Sequence, residues 1–143
     1  MASLTVQPLH DRWTRWHDRL HRHLLRNPEL LPDGSILLLA VSGGQDSMAL
    51  AGLLNSLSRL HHWHLHLWHG DHGWHPQSAS IAEELEQWCH HQKLKLWISR
   101  AEPGLAGSEA KARQWRYREL DRVAVSIEDL GASECCRHVV TGH

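Results

Sequence analysis

Ser35-Ile36-Leu37-Leu38-Leu39-Ala40-Val41-Ser42-Gly43-Gly44-Gln45-Asp46-Ser47 runs from an unbroken apolar stretch into a glycine-rich turn. A run of this length, apolar at every position and preceded by the turn signal Leu31-Pro32-Asp33-Gly34, reads as a strand buried on both faces of a parallel sheet. The residues that follow, Met48 to Leu60, carry Ala49, Leu50, Leu53, Leu54 and Leu57 at helical spacing, as a packed helix would. The unit strand–glycine turn–helix therefore sets the frame for the rest of the chain.

The pattern repeats downstream. From His62 to His69, Trp63, Leu65 and Leu67 alternate with His64 and His66, a period of two. Gly70 to Pro76 reads as loop, Gln77 to His91 as a helix with Ile81, Leu85 and Trp88 inward, and Leu94 to Ile98 as a third strand. A loop from Ala101 to Gly107 leads to a long helix, Ser108 to Ile127, with Ser108 as N-cap and Glu109 in the first turn. His138-Val139-Val140-Thr141 opens a fourth strand. Alternation of strands and helices at this spacing predicts an α/β fold, an open parallel sheet with helices on both faces, Rossmann-like and incomplete at the C-terminus. Such sheets bind ligands at the carboxyl ends of their strands. Upstream, Leu9 to Arg26 reads as a helix with an apolar stripe of Leu9, Trp13, Trp16, Leu20 and Leu24. A flanking stripe of Arg12, Arg15, Arg19, Arg22 and Arg26 is read as solvated, with Asp11–Arg15 and Asp18–Arg22 as i,i+4 pairs. The expected organisation is a helical extension over 1–34 and one domain over 35–143.

The turn itself has an evident chemistry. Gly43 and Gly44 open backbone angles closed to other residues, so consecutive N–H groups can converge on an anion. The first N–H groups of the next helix are unpaired and lie at the positive end of its dipole. Ser42 and Ser47 add hydroxyls, and Asp46 suits a Mg²⁺ ion bridging phosphate oxygens. Ser42, Gly43, Gly44, Gln45, Asp46 and Ser47 are thus the candidate phosphate-binding set. No Lys follows the glycines as in G-x-x-x-x-G-K-[ST], and the dinucleotide fingerprint G-x-G-x-x-G is absent. The alternative is a glycine-rich turn without function.

SGGQDS resembles the SGGxDS signature of the N-type ATP pyrophosphatases, the PP-loop enzymes of adenine nucleotide alpha hydrolase-like fold. Three further segments resemble one branch, the tRNA(Ile)-lysidine synthetases. LLLAVSGGQDSMAL is similar to its opening strand and loop, and His69-Gly70-Asp71-His72-Gly73 to its His-x-Asn/Asp-His-Gly element. Ser108 to Leu120 is similar to its E-x-x-A-R-x-x-R-Y-x-x-L helix, and Thr141-Gly142-His143 to the start of its T-[AG]-H-x-x-D-D segment. The resemblance covers residues from about 35 to the end. It implies ATP and Mg²⁺ as cofactors, and two substrates: an isoleucine tRNA with a CAU anticodon and free L-lysine. The wobble cytidine would be adenylated at its 2-position oxygen and then attacked by the lysine amine. Asp46 and Arg113 carry over as catalytic residues, and His69, Glu109, Arg116 and His143 as substrate or phosphate contacts. Two departures stand out: Trp74-His75 replaces the Leu-Arg that commonly follows His-Gly, and the Asp-Asp pair would lie past His143. On this reading the 143 residues alone have little or no activity.

Composition excludes other classes. With 15 Lys+Arg against 16 Asp+Glu there is no general basic field, so net charge does not announce a nucleic-acid partner. Three cysteines, Cys89, Cys135 and Cys136, form no CxxC pair and argue for a reducing compartment rather than a disulfide scaffold. The first residues lack a basic segment followed by an apolar run, and no stretch approaches the ~20 apolar residues of a membrane helix. The expected location is the cytoplasm. The 15 histidines either bind metal or reflect a habit of composition at solvated positions. A His/Asp metal hydrolase would need H-x-H-x-D-H, but its first histidine falls on Leu67. The nearer rival is a tRNA 2-thiolation enzyme, whose sulfur chemistry commonly uses CxxC pairs. A nucleotide-binding module without catalysis is the non-enzymatic one.

Overall fold

The computed structural model describes residues 13–73, 76–102, 108–129 and 137–141. Its elements are α1 (Arg15–Arg26), β1 (Ile36–Ala40), α2 (Gln45–His61), β2 (His64–Asp71), α3 (Ser78–Gln92), β3 (Lys95–Arg100), α4 (Glu109–Asp129) and β4 (Arg137–Thr141). All strand pairs are parallel, in the order β3-β2-β1-β4. The chain steps outward from β1 through α2 to β2 and through α3 to β3. It then crosses back over the sheet through α4 and places β4 on the far side of β1. This reversal makes the carboxyl ends of β1 and β4 a switch point, where a crevice opens outside the sheet.

Two cores follow from the pleat of β1. Leu37 and Leu39 face α2 and α3, packing with Leu54, Leu57, Leu67, Leu85 and Trp88. Ile36 and Leu38 face α4, packing with Trp68, Trp115, Leu120, Val123 and Ile127. The apolar run of β1 is thus required by both layers. α4 turns Ala112, Trp115, Leu120, Val123, Ala124 and Ile127 inward as one buried face, and Ser108 Oγ accepts the Lys111 N–H at 3.2 Å as the expected N-cap.

Three expectations are corrected. The buried side of α1 is His17 and Leu24, with Leu20 partly covered, rather than a tryptophan stripe. Trp16 is 52% exposed and lies beneath the guanidinium groups of Arg15 and Arg19. A large indole here gains more by covering arginines than by entering a core filled by α2 leucines. Leu9, Asp11 and Arg12 lie outside the described residues, and of the two predicted pairs Asp18–Arg22 is seen at 3.0 Å. In α2, Met48, Ala51, Leu54 and Leu57 point inward, while Ala49 is exposed, because a residue next to Met48 is turned by about 100° away from the buried face. Finally, not all histidines are solvated: His17, His61 and His69 are buried.

Those buried histidines serve as interior polar partners. His17 Nδ1 accepts the Thr14 N–H at 3.1 Å and lies 2.8 Å from the Thr14 hydroxyl, closing the first turn of α1. His61 Nδ1 lies 3.2 Å from Asp33 Oδ1 and its Nε2 lies 3.0 Å from His21 Nδ1, while its ring stacks on Trp63 at 4.5 Å. A carboxylate only accepts, so His61 Nδ1 carries a proton. The other contact, between two ring nitrogens, needs one proton shared by the pair. α1 is thereby fastened to the end of α2. No described helix is long and apolar enough to cross a membrane.

Candidate active site

The glycine turn occupies the switch point as its spacing predicts, and only one of its glycines is sterically required. Gly43 has φ +91°, and a Cβ there would stand 2.5 Å from Ile81 Cγ2 of α3. Gly44 is the N-cap of α2 with an ordinary φ of −74°. The serines tie the turn to itself. The Ser47 hydroxyl accepts the Ser42 N–H at 3.2 Å and donates to the Gly44 carbonyl at 3.1 Å, while Ser42 Oγ accepts the Gly44 N–H at 3.3 Å. The amides of Gln45, Asp46 and Ser47 precede the first intrahelical bond, Met48 N–H to Gly44 O, so they belong to the unpaired first turn.

Beside the turn lies a cavity of about 400 Å³, lined by Ser42 and Ser47, by His69, Asp71 and His72 from the end of β2, and by Arg116 and Thr141. A second cavity of about 530 Å³ lies under the first turns of α4 and is lined by Glu109, Arg113, Arg116 and Tyr117. Ala40, Trp68, Arg116 and Thr141 border both. Every sequence candidate except His143 can therefore be located. Ser42, Ser47, His69 and Arg116 face the first cavity; Glu109, Arg113 and Arg116 face the second. Gln45 and Asp46 are exposed at the start of α2 and line neither, and His143 lies outside the described residues.

His69 is 5% exposed, and its Nδ1 donates to the Val41 carbonyl at 2.9 Å. That bond fixes the tautomer and leaves Nε2 as the nitrogen available to a ligand. Asp71 Oδ1 accepts the Gly73 N–H at 2.9 Å, and Oδ2 lies 3.9 Å from Arg100 Nε. His72 packs edge-on against Trp115. Burial and the positive charge of Arg116 hold its pKa below the usual 6.5, against the opposing pull of Asp71. Arg113 stacks over Tyr117, 5.7 Å from the ring centre.

Sequence reasoning placed His69, Asp71 and His72 together in one motif but singled out only His69. It missed Trp68 altogether. The Trp68 N–H donates to Ser99 Oγ at 2.9 Å, and the Ser99 hydroxyl donates to Glu119 Oε2 at 3.3 Å. Glu119 also accepts from Arg122 Nε at 2.6 Å. This chain pins the indole as a wall between the two cavities. Gly70 makes room for it, because a Cβ there would lie 2.5 Å from Trp68 Cη2. A signal was present: a Trp two residues before a strand glycine, in phase with the apolar face of α4.

A polyphosphate fits this donor set. Ser42 and Ser47 of the turn and cationic Arg116 line one cavity, and the unpaired first-turn amides of α2 follow directly from that turn. Asp46 offers one hard oxygen ligand, sufficient for Mg²⁺ whose other ligands are phosphate and water oxygens. Among the described residues no group of three or more His, Cys, Asp or Glu side chains is arranged to hold a metal by itself. A metal hydrolase therefore lacks its ligand set there. Cys89 is buried in the α2–α3 core with its thiol pKa pushed up to about 11 by burial, which makes it inert. Cys135 and Cys136 lie outside the described residues.

A family model described as a PP-loop domain matches residues 16–139. A protein named tRNA(Ile)-lysidine synthase from Parasynechococcus marenigrum is 55% identical over 137 residues, 96% of this chain and 38% of the relative. One of the same name from Prochlorococcus marinus is 50% identical over 131 residues, 92% of this chain and 39% of the relative. The chain thus spans under two fifths of the length of these relatives. The solved structure of a U34-tRNA thiolase, NcsA from Methanococcus maripaludis with its [4Fe-4S] cluster, matches with a TM-score of 0.67. It covers 91% of this chain and 46% of the thiolase at 16% identity, a likeness of fold.

Proposed function

The chain belongs to the PP-loop family, and from that premise we propose that it forms the ATP-binding end of an enzyme that modifies isoleucine tRNA by attaching lysine. In this reaction the 2-position oxygen of the wobble cytidine, in a CAU anticodon, attacks the α-phosphorus of ATP. The bond to the β-phosphate oxygen breaks and pyrophosphate leaves. The amino group of free lysine then attacks the activated ring carbon, AMP departs with the oxygen, and the amine proton is lost. Lysidine results.

One observation carries the reading: two cavities share the Trp68–Arg116 wall at the switch point, one lined by Ser42 and Ser47 of the glycine turn and the other by the Glu109–Arg113 face of α4. Two compartments divided by a cationic wall suit a transfer between a nucleotide and a bulky acceptor. The Gly43 turn and the α2 amides receive the charge that grows on the leaving pyrophosphate, with Mg²⁺ on Asp46 adding to that stabilisation when bound. Arg116, reaching both sides, neutralises the phosphoryl group as it passes. Arg113 and Glu109 orient the acceptor or the lysine amine. His69, fixed in one tautomer, keeps the β2 edge of the first cavity in shape. His143 is assigned to the same group of contacts, and the cytoplasm, where tRNA, ATP and lysine coexist, is the proposed location.

The test is an assay of the full-length protein with CAU-anticodon isoleucine tRNA, ATP and labelled lysine. Lysine should enter the tRNA with one AMP and one pyrophosphate released per label. A complete absence of label, with tRNA and protein shown intact, rules the assignment out. Pyrophosphate release with sulfur incorporation would move it to thiolation, and ATP binding without pyrophosphate release to a binding module.

A further inference from the structure

A third cavity, of about 660 Å³, lies at the opposite end of the sheet, under the last turns of α2 and α3 and against the starts of β2 and β3. β2 rises from His64 at this groove to Asp71 at the nucleotide cavity, roughly 23 Å away, so the groove is not part of that site. Its cationic lining is Arg59, Lys93 and Lys95, joined by the imidazoles of His64, His66 and His91, and none of its described lining residues is acidic. In a chain whose charges nearly cancel, this is a local excess.

Basic residues at helix C-termini often do no more than complement the dipole. Magnitudes argue against that here. Two helix ends present roughly −0.5 charge each, about −1 together, while Arg59, Lys93 and Lys95 supply three permanent positive charges. None of these three makes an ion pair among the described residues. A surplus of about two charges therefore faces the groove. The interior of the groove senses the same field: His66 is held below its usual pKa by burial first, then by Lys95 and His64.

We propose that this groove binds the phosphodiester backbone of RNA, as a contact independent of base sequence and remote from the ATP site. The choice of RNA over another polyanion rests on the tRNA-modifying reading above. The groove is concave; of its apolar members Trp63 and Leu65 are buried and Leu94 is partly buried against the core rather than projecting. No wedge is offered to a lipid surface, whereas hydrogen-bond donors and cations line the concavity.

The experiment uses full-length protein and two fluorescent RNAs, an isoleucine tRNA transcript and an unrelated hairpin, with anisotropy measured over a series of KCl concentrations. The triple variant Arg59→Gln/Lys93→Gln/Lys95→Gln changes exposed side chains and should keep the wild-type melting temperature and ATP affinity. Each lost phosphate contact removes ~0.7–0.9 from the slope of log affinity against log salt. A slope smaller by about 2 and at least about tenfold weaker binding of both RNAs are expected. An unchanged slope overturns the proposal. So does an equal loss from Arg19→Gln/Arg22→Gln/Arg26→Gln on α1, because the binding would then be a general surface effect. Hairpin binding that depends on the groove, in a protein that incorporates no lysine, would sink the lysidine reading while the groove stands. Lysine incorporation with an unchanged salt slope would do the reverse.

Discussion

The two faces of the sheet are built from different materials. Against α2 and α3, β1 and β2 present Leu37, Leu39, Leu65 and Leu67 to Leu54, Leu57 and Leu85, a layer dominated by leucines that also buries Trp63 and Trp88. Against α4 they present Trp68 to Trp115, with Ser99, Glu119 and Arg122 bonded behind the indole. Aliphatic side chains fill space in any of several arrangements, so the first face supplies stability. Indoles with a hydrogen-bonded N–H have one orientation, so the second face holds a rigid cavity wall. The difference teaches that the wall between the cavities is held from the α4 layer, while the larger leucine core lies in the α2–α3 layer.

The largest effect should come from breaking the aliphatic layer. Leu57→Ala removes a fully buried side chain and should cost about 2–5 kcal/mol of unfolding free energy in urea titrations. Nucleotide affinity per folded molecule should stay at the wild-type value, and a matching loss of affinity would show that the two layers are not separable. Gly70→Ala attacks the other layer. Its Cβ would meet Trp68 at 2.5 Å and Trp115 at 3.1 Å, with an expected cost of about 1–3 kcal/mol. Here ATP affinity should fall too, because the wall between the cavities moves. Wild-type affinity at reduced stability would remove Trp68 from the site.

Ser99→Ala is milder: the indole N–H loses its acceptor, at about 1 kcal/mol, while near-ultraviolet circular dichroism should report a less ordered tryptophan. The smallest effect is a slope with pH. His17, His66 and His72 are each held below 6.5, in every case chiefly by burial. The unfolded chain takes up protons near 6.5 and the folded chain only at lower pH, so the unfolded state binds more protons in that window. Stability should be full above about 6.5 and should decline as pH falls toward the depressed folded values. His66→Asn with His72→Gln, on the α4 side, should flatten the melting-temperature profile more than His17→Gln. A steeper profile in the double variant would contradict the assignment.

Much of this was legible in advance for identifiable reasons. The apolar run from Ile36 to Ala40 has no polar position to expose, so it had to be a central parallel strand. The alternation from Trp63 to Leu67 matches the observed burial, and the Ser108 cap forms as its side chain dictates. The glycine turn and the Arg113–Arg116 helix could be identified because each is contiguous. α1 was misread because Trp13, Trp16, Leu20 and Leu24 do share a helical period, and only the presence of α2 decides that His17 rather than Trp16 is covered. Trp68 was missed because its partners Ser99, Trp115 and Glu119 are distant along the chain, on β3 and α4.

By itself the sequence determined the alternation of strands and helices, the parallel sheet and the turn that opens α2, since these follow from short-range periodicity and backbone freedom. Only the tertiary structure decided that Gly43, not Gly44, must be glycine, because Ile81 comes from another helix. It likewise decided that Arg116 belongs to both cavities and that Arg59, Lys93 and Lys95 share one groove. Steric and electrostatic fields depend on distances in space. The sheet order β3-β2-β1-β4 sets those distances by folding α4 back across the strands.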